Sequence, residues 1–419
     1  MKHPPREGAF GVTGARLRDA VRVAREPALR RFWFSQMASE IGDWIGLLGV
    51  AALLYQVTDK AVYAAASVTA LYLPYLLSPW LTALCAKLPP RQLLIGADLL
   101  RAAIIPLLLI PDLPPWLLLL LVFVSALPTP VYEATRSAVV PEYAPDESTL
   151  DDALVLFQAT QQAANTLGFL LGGLVLATIH VEAALLLNAL SYFVSALLLL
   201  GIPSLPPIAS VTTSASSLIT DGLRALRRQP LLRRTVALAV VSASTIMAGE
   251  ALVVVYAGEV DHPGMAGVFA AATTTVAAVA ALVMPRHYDS VTLLRIVATT
   301  LGFGAAVAML LFALKPGVFV GLAGYVALGL ISAPGALTYV VAVREMSLQV
   351  RASVFSMVQV LLMGGQAVVA LAAGRLADEI GVGAAIGLLQ LPTLLLAVGA
   401  ILITPTKERA TAGLGASPA

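Results

Sequence analysis

The chain has 419 residues, 59% of them hydrophobic and 12% charged, with a mean hydropathy of +0.88, and a soluble globule of that length would need far more polar surface. The single cysteine, Cys85, excludes an intramolecular disulfide and a cysteine-built metal site, and four scattered histidines without a His-x-x-x-His pair offer no zinc constellation, so neither metal nor cofactor is expected. The net charge of +2 says little until the basic residues are placed along the chain.

Eight of them, Lys2, Arg6, Arg16, Arg18, Arg22, Arg25, Arg30 and Arg31, precede the first apolar run. No short hydrophobic core with a cleavage site precedes it, so the first run is expected to stay as an anchor. A helix crosses the hydrocarbon with about 20 apolar residues. Twelve such spans are expected, at 33–57, 62–86, 92–111, 114–135, 152–179, 182–202, 234–258, 264–285, 291–314, 317–341, 353–378 and 382–403. Lys87, Arg91, Arg136, Arg224, Arg227, Arg228, Arg233, Arg234, Arg286, Arg344, Arg351, Lys407 and Arg409 fall on the same side as the N-terminus, whereas the other side has little beyond Lys60, Lys315 and Arg375. The positive-inside rule then places both termini in the cytoplasm and the protein in the cytoplasmic (inner) membrane, and it accounts for the N-terminal arginines without a nucleic-acid partner.

In the first span, Gln36, a candidate for the cavity wall, shares one face with Glu40 and Asp43, and Asp43 lies roughly 15 Å inward from the entrance. An ionised group at the bilayer centre costs at least ~2.5–3.5 kcal/mol, so these acids are candidates for proton coupling. The alternative for Asp43 is a fixed bond to a neighbouring helix. In the third span Asp98 and Arg101, three apart, are expected to pair, and Glu133 and Arg136 repeat the spacing in the fourth. Both pairs read as gating or structural elements. The fifth span carries Gln158, Gln161, Gln162 and Asn165 on an expected polar stripe, then Gly168, Gly172 and Gly173 for close helix approach. The amides are either a cavity wall or interhelical hydrogen bonds. In the seventh span Glu250, a further candidate for proton coupling, joins Ser242 and Thr245 on a thinner polar stripe, and Gln359 and Gln366 mark the eleventh as cavity wall. Trp33, Trp44, Tyr55, Trp80, Tyr132 and Tyr192 read as an interfacial aromatic belt, with Trp44 and Tyr72 as candidates for stacking on a substrate.

The chain is written twice. Asp19 to Pro27 with Leu29-Arg30-Arg31 resembles Asp221 to Pro230 with Leu232-Arg233-Arg234, and Gln158 and Gly173 recur at the same spacing as Gln359 and Gly374. Pro203, Pro206 and Pro207 close the sixth span, and a Ser/Thr/Ala run follows. The expected organisation is a basic segment at 1–32, a six-helix bundle at 33–202, a linker with an amphipathic helix at 203–233, a second bundle at 234–403 and a tail at 404–419.

Several short motifs, taken in order, resemble the drug-antiporter-like branch of the major facilitator superfamily, which includes macrolide and siderophore exporters. They are Arg31-Phe32-Trp33 with Ser39 and Gly42-Asp43, Ala97-Asp98-Leu99-Leu100-Arg101-Ala102, Thr135-Arg136-Ser137-Ala138, Gly168 with Gly172-Gly173, Arg351-Ala352-Ser353-Val354-Phe355, and Gly374-Arg375-Leu376-Ala377-Asp378. The resemblance implies a monomeric all-α polytopic protein of twelve transmembrane helices in two six-helix bundles. It further implies a secondary active transporter, not an enzyme, that exports an amphipathic or lipophilic small molecule against protons. The loop between the second and third spans departs from the family pattern: Thr82 to Gln92 lacks its glycine and acid while keeping Lys87 and Arg91. A lysophospholipid or lipid flippase of the same fold, and a non-transporting adaptor or receptor, are the alternatives.

The topology is testable by cysteine accessibility. With Cys85→Ser as background, single cysteines at Ser214 and Ser417 are expected to resist an impermeant maleimide in intact cells and one at Asp112 to react; the reverse pattern overturns the orientation.

Overall fold

The computed structural model describes residues 23, 25–85, 87–207, 215–284, 288–335, 338, 341 and 348–403. Most of the N-terminal basic segment, residues 208–214 of the linker and the tail lie outside the described residues.

Twelve spans follow in chain order, and no strand occurs among the described residues. The first is Pro27–Thr58. The second is Ala61–Tyr72, a 3-10 turn at Leu73–Leu77 and Ser78–Cys85; the third is Pro90–Ile104 with a 3-10 turn at Ile105–Leu109. Pro74 and Pro106 sit in these two tightened turns, where a missing N–H and a ring against the preceding turn disfavour a regular α-helix. The fourth span breaks into Pro115–Ala126 and Thr129–Tyr143 around Pro128. Glu147–Thr178 and Val181–Leu199 complete the first half. The helix Ala215–Arg228 then leads into the second half, Pro230–Glu259, Met265–Val283, Ser290–Phe312, Val318–Ser332, Leu348–Ile380 and the broken Val382–Leu388 with Leu391–Ile403.

Helix starts follow local chemistry. Proline opens the first, third, fourth and seventh spans, where its absent N–H would have no helical partner. Asp146 and Asp289 cap the fifth and ninth through the N–H groups of Thr149 and Thr292. Among the described residues eight stretches are long and apolar enough to cross a bilayer unaided, three more are shorter, and Glu147–Thr178 is diluted by its amides. Large apolar side chains such as Phe319, Leu395 and Leu174 are exposed on the flanks, as a hydrocarbon solvent requires.

Call the side that holds Pro27, Tyr143 and Pro230 the basic face. The two halves meet mainly toward the other face. There the fifth span crosses the eighth so closely that a Cβ on Gly267 would lie 2.2 Å from the Phe169 carbonyl, and one on Gly173 would lie 2.7 Å from Gly267 Cα. The second and eleventh spans make the equivalent crossing: a Cβ on Gly374 would lie 2.6 Å from Val62 Cα. Thr166 bonds Thr274 (3.0 Å), and Thr69 donates to the Ala367 carbonyl (2.9 Å), farther along the same two seams. Toward the basic face the inner side of the fifth and eleventh spans is exposed at Leu154, Val155, Gln158 and Gln359. The molecule is thus sealed at one face and cleft at the other.

This packing predicts opposite signs for two glycine changes. Gly267→Leu forces the seam apart and is expected to cost about 1–3 kcal/mol, whereas Gly399→Ala, where nothing lies within 4 Å, is expected to be neutral or slightly stabilising. Thermal unfolding of the two variants in detergent checks the contrast.

Candidate substrate and coupling site

The first half encloses a cavity of about 290 Å³ lined by Glu40, Asp43, Trp44, Tyr72, Tyr75, Arg101, Glu133, Gln161, Asn188 and Tyr192, with Met363 reaching in from the eleventh span. Its charged groups are held by several helices. Tyr192 donates its hydroxyl to Asp43 Oδ1, Tyr75 donates to Glu133 Oε1 (2.6 Å), and Gln36 (2.9 Å), Gln161 (3.2 Å) and Arg136 (3.4 Å) all converge on Glu40 Oε1. Gly42 and Gly46 make this assembly possible, because a Cβ at either would collide with Ser191 or Asn188 of the sixth span.

Arg101 is the hub. Its guanidinium carbon lies 5.2 Å from the ring centroids of both Tyr132 and Tyr192, and it donates to Thr129 Oγ1 at 2.8 Å. A planar, weakly hydrated cation between two aromatic faces is well suited to a site with little water. Asp98 is fully buried, 3.9 Å from Arg101, and accepts a 2.5 Å bond from Ser195, whose hydroxyl also meets Ser35 at 2.7 Å. Thus the expected Asp98–Arg101 pair approaches only loosely, each member being held chiefly by neutral groups.

Several expectations are corrected. Glu133 and Arg136 do not pair with each other among the described residues: the fourth helix turns Glu133 toward Tyr75 and Arg136 toward Glu40. Gln36, placed on the cavity wall from its spacing, is 3% exposed and faces Glu40 as a support. The amide stripe divides, because helix five turns in an asymmetric environment: Gln161 borders the first cavity, Gln158 is exposed in the cleft, and Asn165 keeps a buried oxygen without a hydrogen-bond partner. Gln162 borders neither cavity and accepts from Thr166 through its carbonyl. Tyr132 and Tyr192 are not belt residues; both are nearly buried around Arg101. Trp33 donates to Thr160, while Trp80 is 67% exposed as a belt residue would be. Trp44 borders the cavity and packs on Phe169 at 4.7 Å, and Tyr72 lies beside Tyr75. Gly168 and Gly172 face the first span, where added Cβ atoms would meet Ile41, Trp44 and Ile45, whereas Gly173 serves the seam with the eighth.

The second half has a larger, more apolar cavity of about 480 Å³, lined among others by Val236, Ile246, Met247, Ile331, Phe355 and Leu362. Among the described residues Glu250 is the only acid on this wall, accompanied by Ser242, Gln359, Gln366, Thr235 and Thr338. Among the described residues Glu250 makes no ion pair or hydrogen bond. Thr245 leaves the expected stripe and bonds Thr393 at 2.7 Å behind the cavity. Met363 of the eleventh span borders the first cavity together with Tyr72, while its neighbours Leu362 and Gln366 line the second, so the two cavities approach each other there.

A sequence model of the Major Facilitator Superfamily matches residues 32–367. The chain belongs to the major facilitator superfamily. The chain is 24% identical over 206 residues to the uncharacterized MFS-type transporter YfiS of Bacillus subtilis (strain 168), an alignment covering 47% of this chain and 49% of that relative. The chain thus spans about half the length of that curated relative. Its fold matches a mutant of the nucleoside transporter NupG with a TM-score of 0.74 at 13% identity, covering 90% of this chain and all of the other. A POT family transporter solved with a thioalcohol-conjugated peptide matches with a TM-score of 0.67, also at 13% identity, over 90% of this chain and 96% of its own. At such identities the facilitator fold is what is shared.

The loose Asp98–Arg101 contact gives a quantitative expectation. In a double-mutant cycle on thermal stability, Asp98→Ala and Arg101→Ala should each destabilise by more than 1 kcal/mol, by roughly the cost of leaving a buried charge unpaired, and the double change should cost less than their sum. Additive losses would mean that the two charges do not sense each other.

Proposed function

We propose that this facilitator is a secondary active transporter that exports an amphipathic or lipophilic small molecule by alternating access, driven by protons moving the other way. The observation that carries this reading is the unequal charge of the first cavity: Glu40, Asp43 and Glu133 line it against Arg101, with Arg136 reaching Glu40 from the side and Asp98 buried behind. Four acids against two arginines leave carboxylates that need a proton, water or a cation when the cleft is shielded. Asp43 is the leading coupling residue because it faces the cavity with, among the described residues, only the Tyr192 hydroxyl donating to it. Glu40 is held by three partners and is better fixed, and Glu250 is the competing coupling residue in the second half.

The apolar second cavity supports a bulky lipophilic cargo over a sugar or an amino acid, with Trp44, Tyr72, Gln161, Gln359 and Gln366 as its contacts. The basic face is the cytoplasmic one in this reading, so the cleft opens to the cytoplasm, and the protein acts as a monomer in the cytoplasmic membrane. The nucleoside and peptide named for the structural neighbours would ask for a more polar second cavity than this one.

Sealed vesicles with an imposed pH gradient and a panel of lipophilic compounds test the proposal. Asp43→Asn is expected to abolish pH-driven flux by at least tenfold while cargo binding persists, because the amide mimics the protonated acid without titrating. Glu250→Gln is the control: loss in that variant alone moves coupling to the seventh span, and survival in both overturns proton antiport through these acids. Movement of a labelled lysophospholipid instead of the panel would favour a flippase, and no flux of either kind a non-transporting adaptor.

A further inference from the structure

The two seams that seal the face opposite the basic one are built alike, yet only one carries a charge across it. At the seam of the fifth and eighth spans, Gly173 meets Gly267, and one turn later Ala177 meets Gly264. At the seam of the second and eleventh spans, Gly374 meets Ala61, Val62 and Ala65, and one turn later stands Asp378 in place of Ala177's counterpart. The Asp378 carboxylate accepts the backbone N–H of Ala61 through Oδ1 (2.7 Å) and that of Val62 through Oδ2 (3.2 Å).

These N–H groups belong to the first turn of the second span. Its own N-cap residue, Lys60, provides no side-chain cap, so two donors that a helix start normally satisfies from its own chain are satisfied by the other half of the molecule. The positive end of the helix dipole adds to the attraction for a carboxylate there. Lys60 and Asp59 flank the helix start, while Arg375 is occupied by Glu379 at 3.0 Å, so Asp378 is not claimed by the nearest guanidinium.

We propose that Asp378 is a gate residue, a helix cap supplied in trans that holds the face opposite the basic one shut and must release Ala61 and Val62 before the cleft can open there. Gly374 brings the eleventh span close enough for the cap to form. The glycine seam of the fifth and eighth spans, which lacks an equivalent acid, acts as the passive partner. The proposal rests on alternating access but on neither proton coupling nor the cargo.

The test uses the full chain in nanodiscs, with Cys85→Ser and spin labels on Glu182→Cys, in the first turn of the sixth span, and Lys315→Cys, in the loop before the tenth, both at the sealed face. Electron–electron resonance distances in the parent are expected to be mostly short. Asp378→Ala should raise the long-to-short ratio by about fivefold, equivalent to about 1 kcal/mol for a lost cap. Asp378→Asn, which keeps an acceptor oxygen, should restore most of the short population. Should Asp378→Ala not yield monodisperse protein, Ala61→Pro serves instead, since proline is tolerated at a first helical position and removes one of the two donors. Unchanged distances in the variant that folds, beside a parent that transports, overturn the latch and leave the transport reading intact. A shifted distribution beside a parent with no flux in sealed vesicles does the reverse.

Discussion

Burying charge in hydrocarbon is the constraint around which the first half is arranged. An isolated carboxylate or guanidinium at the bilayer centre is expensive, and the molecule answers not with simple pairs but with neutral donors and aromatic faces spread over spans one to six. Arg101 lies between Tyr132 and Tyr192 and bonds Thr129; Asp98 takes Ser195; Asp43 takes Tyr192; Glu133 takes Tyr75. Tyrosine recurs because it supplies both a hydroxyl donor and an apolar or cation-binding face, so one side chain can serve an acid and a base at once. Tyr192 does both, touching Asp43 with its oxygen and Arg101 with its ring.

Such sharing requires helices at close range, and lipid gives helices no hydrophobic reason to associate. Small residues supply the contact instead. Gly42 and Gly46 bring the first span against Ser191 and Asn188, and Gly168 and Gly172 bring the fifth against the first. The second half achieves its rigidity differently, with Tyr256, Phe269, Phe312 and Tyr325 packed ring to ring at 5.3–6.1 Å. The two halves thus differ in character, the first polar and the second apolar.

The twelve spans were legible because their length, their apolar runs and the prolines at their starts are properties of the local chain. The glycines of the fifth span were legible as contact points for the same reason. Partners were not. Helical spacing put Glu133 beside Arg136, but the choice between a neighbour on the same helix and one on another depends on the bend at Pro128 and on Tyr75, some fifty-eight residues away. Tyr192 lies midway along the expected span 182–202, a depth that speaks against an interfacial belt, but spacing alone does not name Arg101 and Asp43 as its partners. Ser242 and Thr245 share a stripe on a helical projection, yet only Ser242 reaches the cavity, because Thr393 and Gln390 of the twelfth span draw Thr245 the other way. Asp378 stood in a recognised motif whose partner, a helix start over three hundred residues away, no spacing rule could supply.

The placement of these bonds bears on how binding and conformational change connect. When two six-helix bodies rock about a cleft, bonds within a body persist and bonds between bodies break. Tyr192–Asp43, Tyr75–Glu133 and Arg136–Glu40 all lie within the first half, so the alternating access proposed above would leave the charge network intact. Thr166–Thr274, Thr69–Ala367 and Asp378–Ala61 lie between halves and are the bonds at stake. A ligand or proton shifts the balance only by binding one state better than the other. Under this division, the preference arises less from remade ion pairs than from the changed exposure of a preformed acid cluster and from the contact of Met363 and Tyr72 with whatever occupies the space between the two cavities.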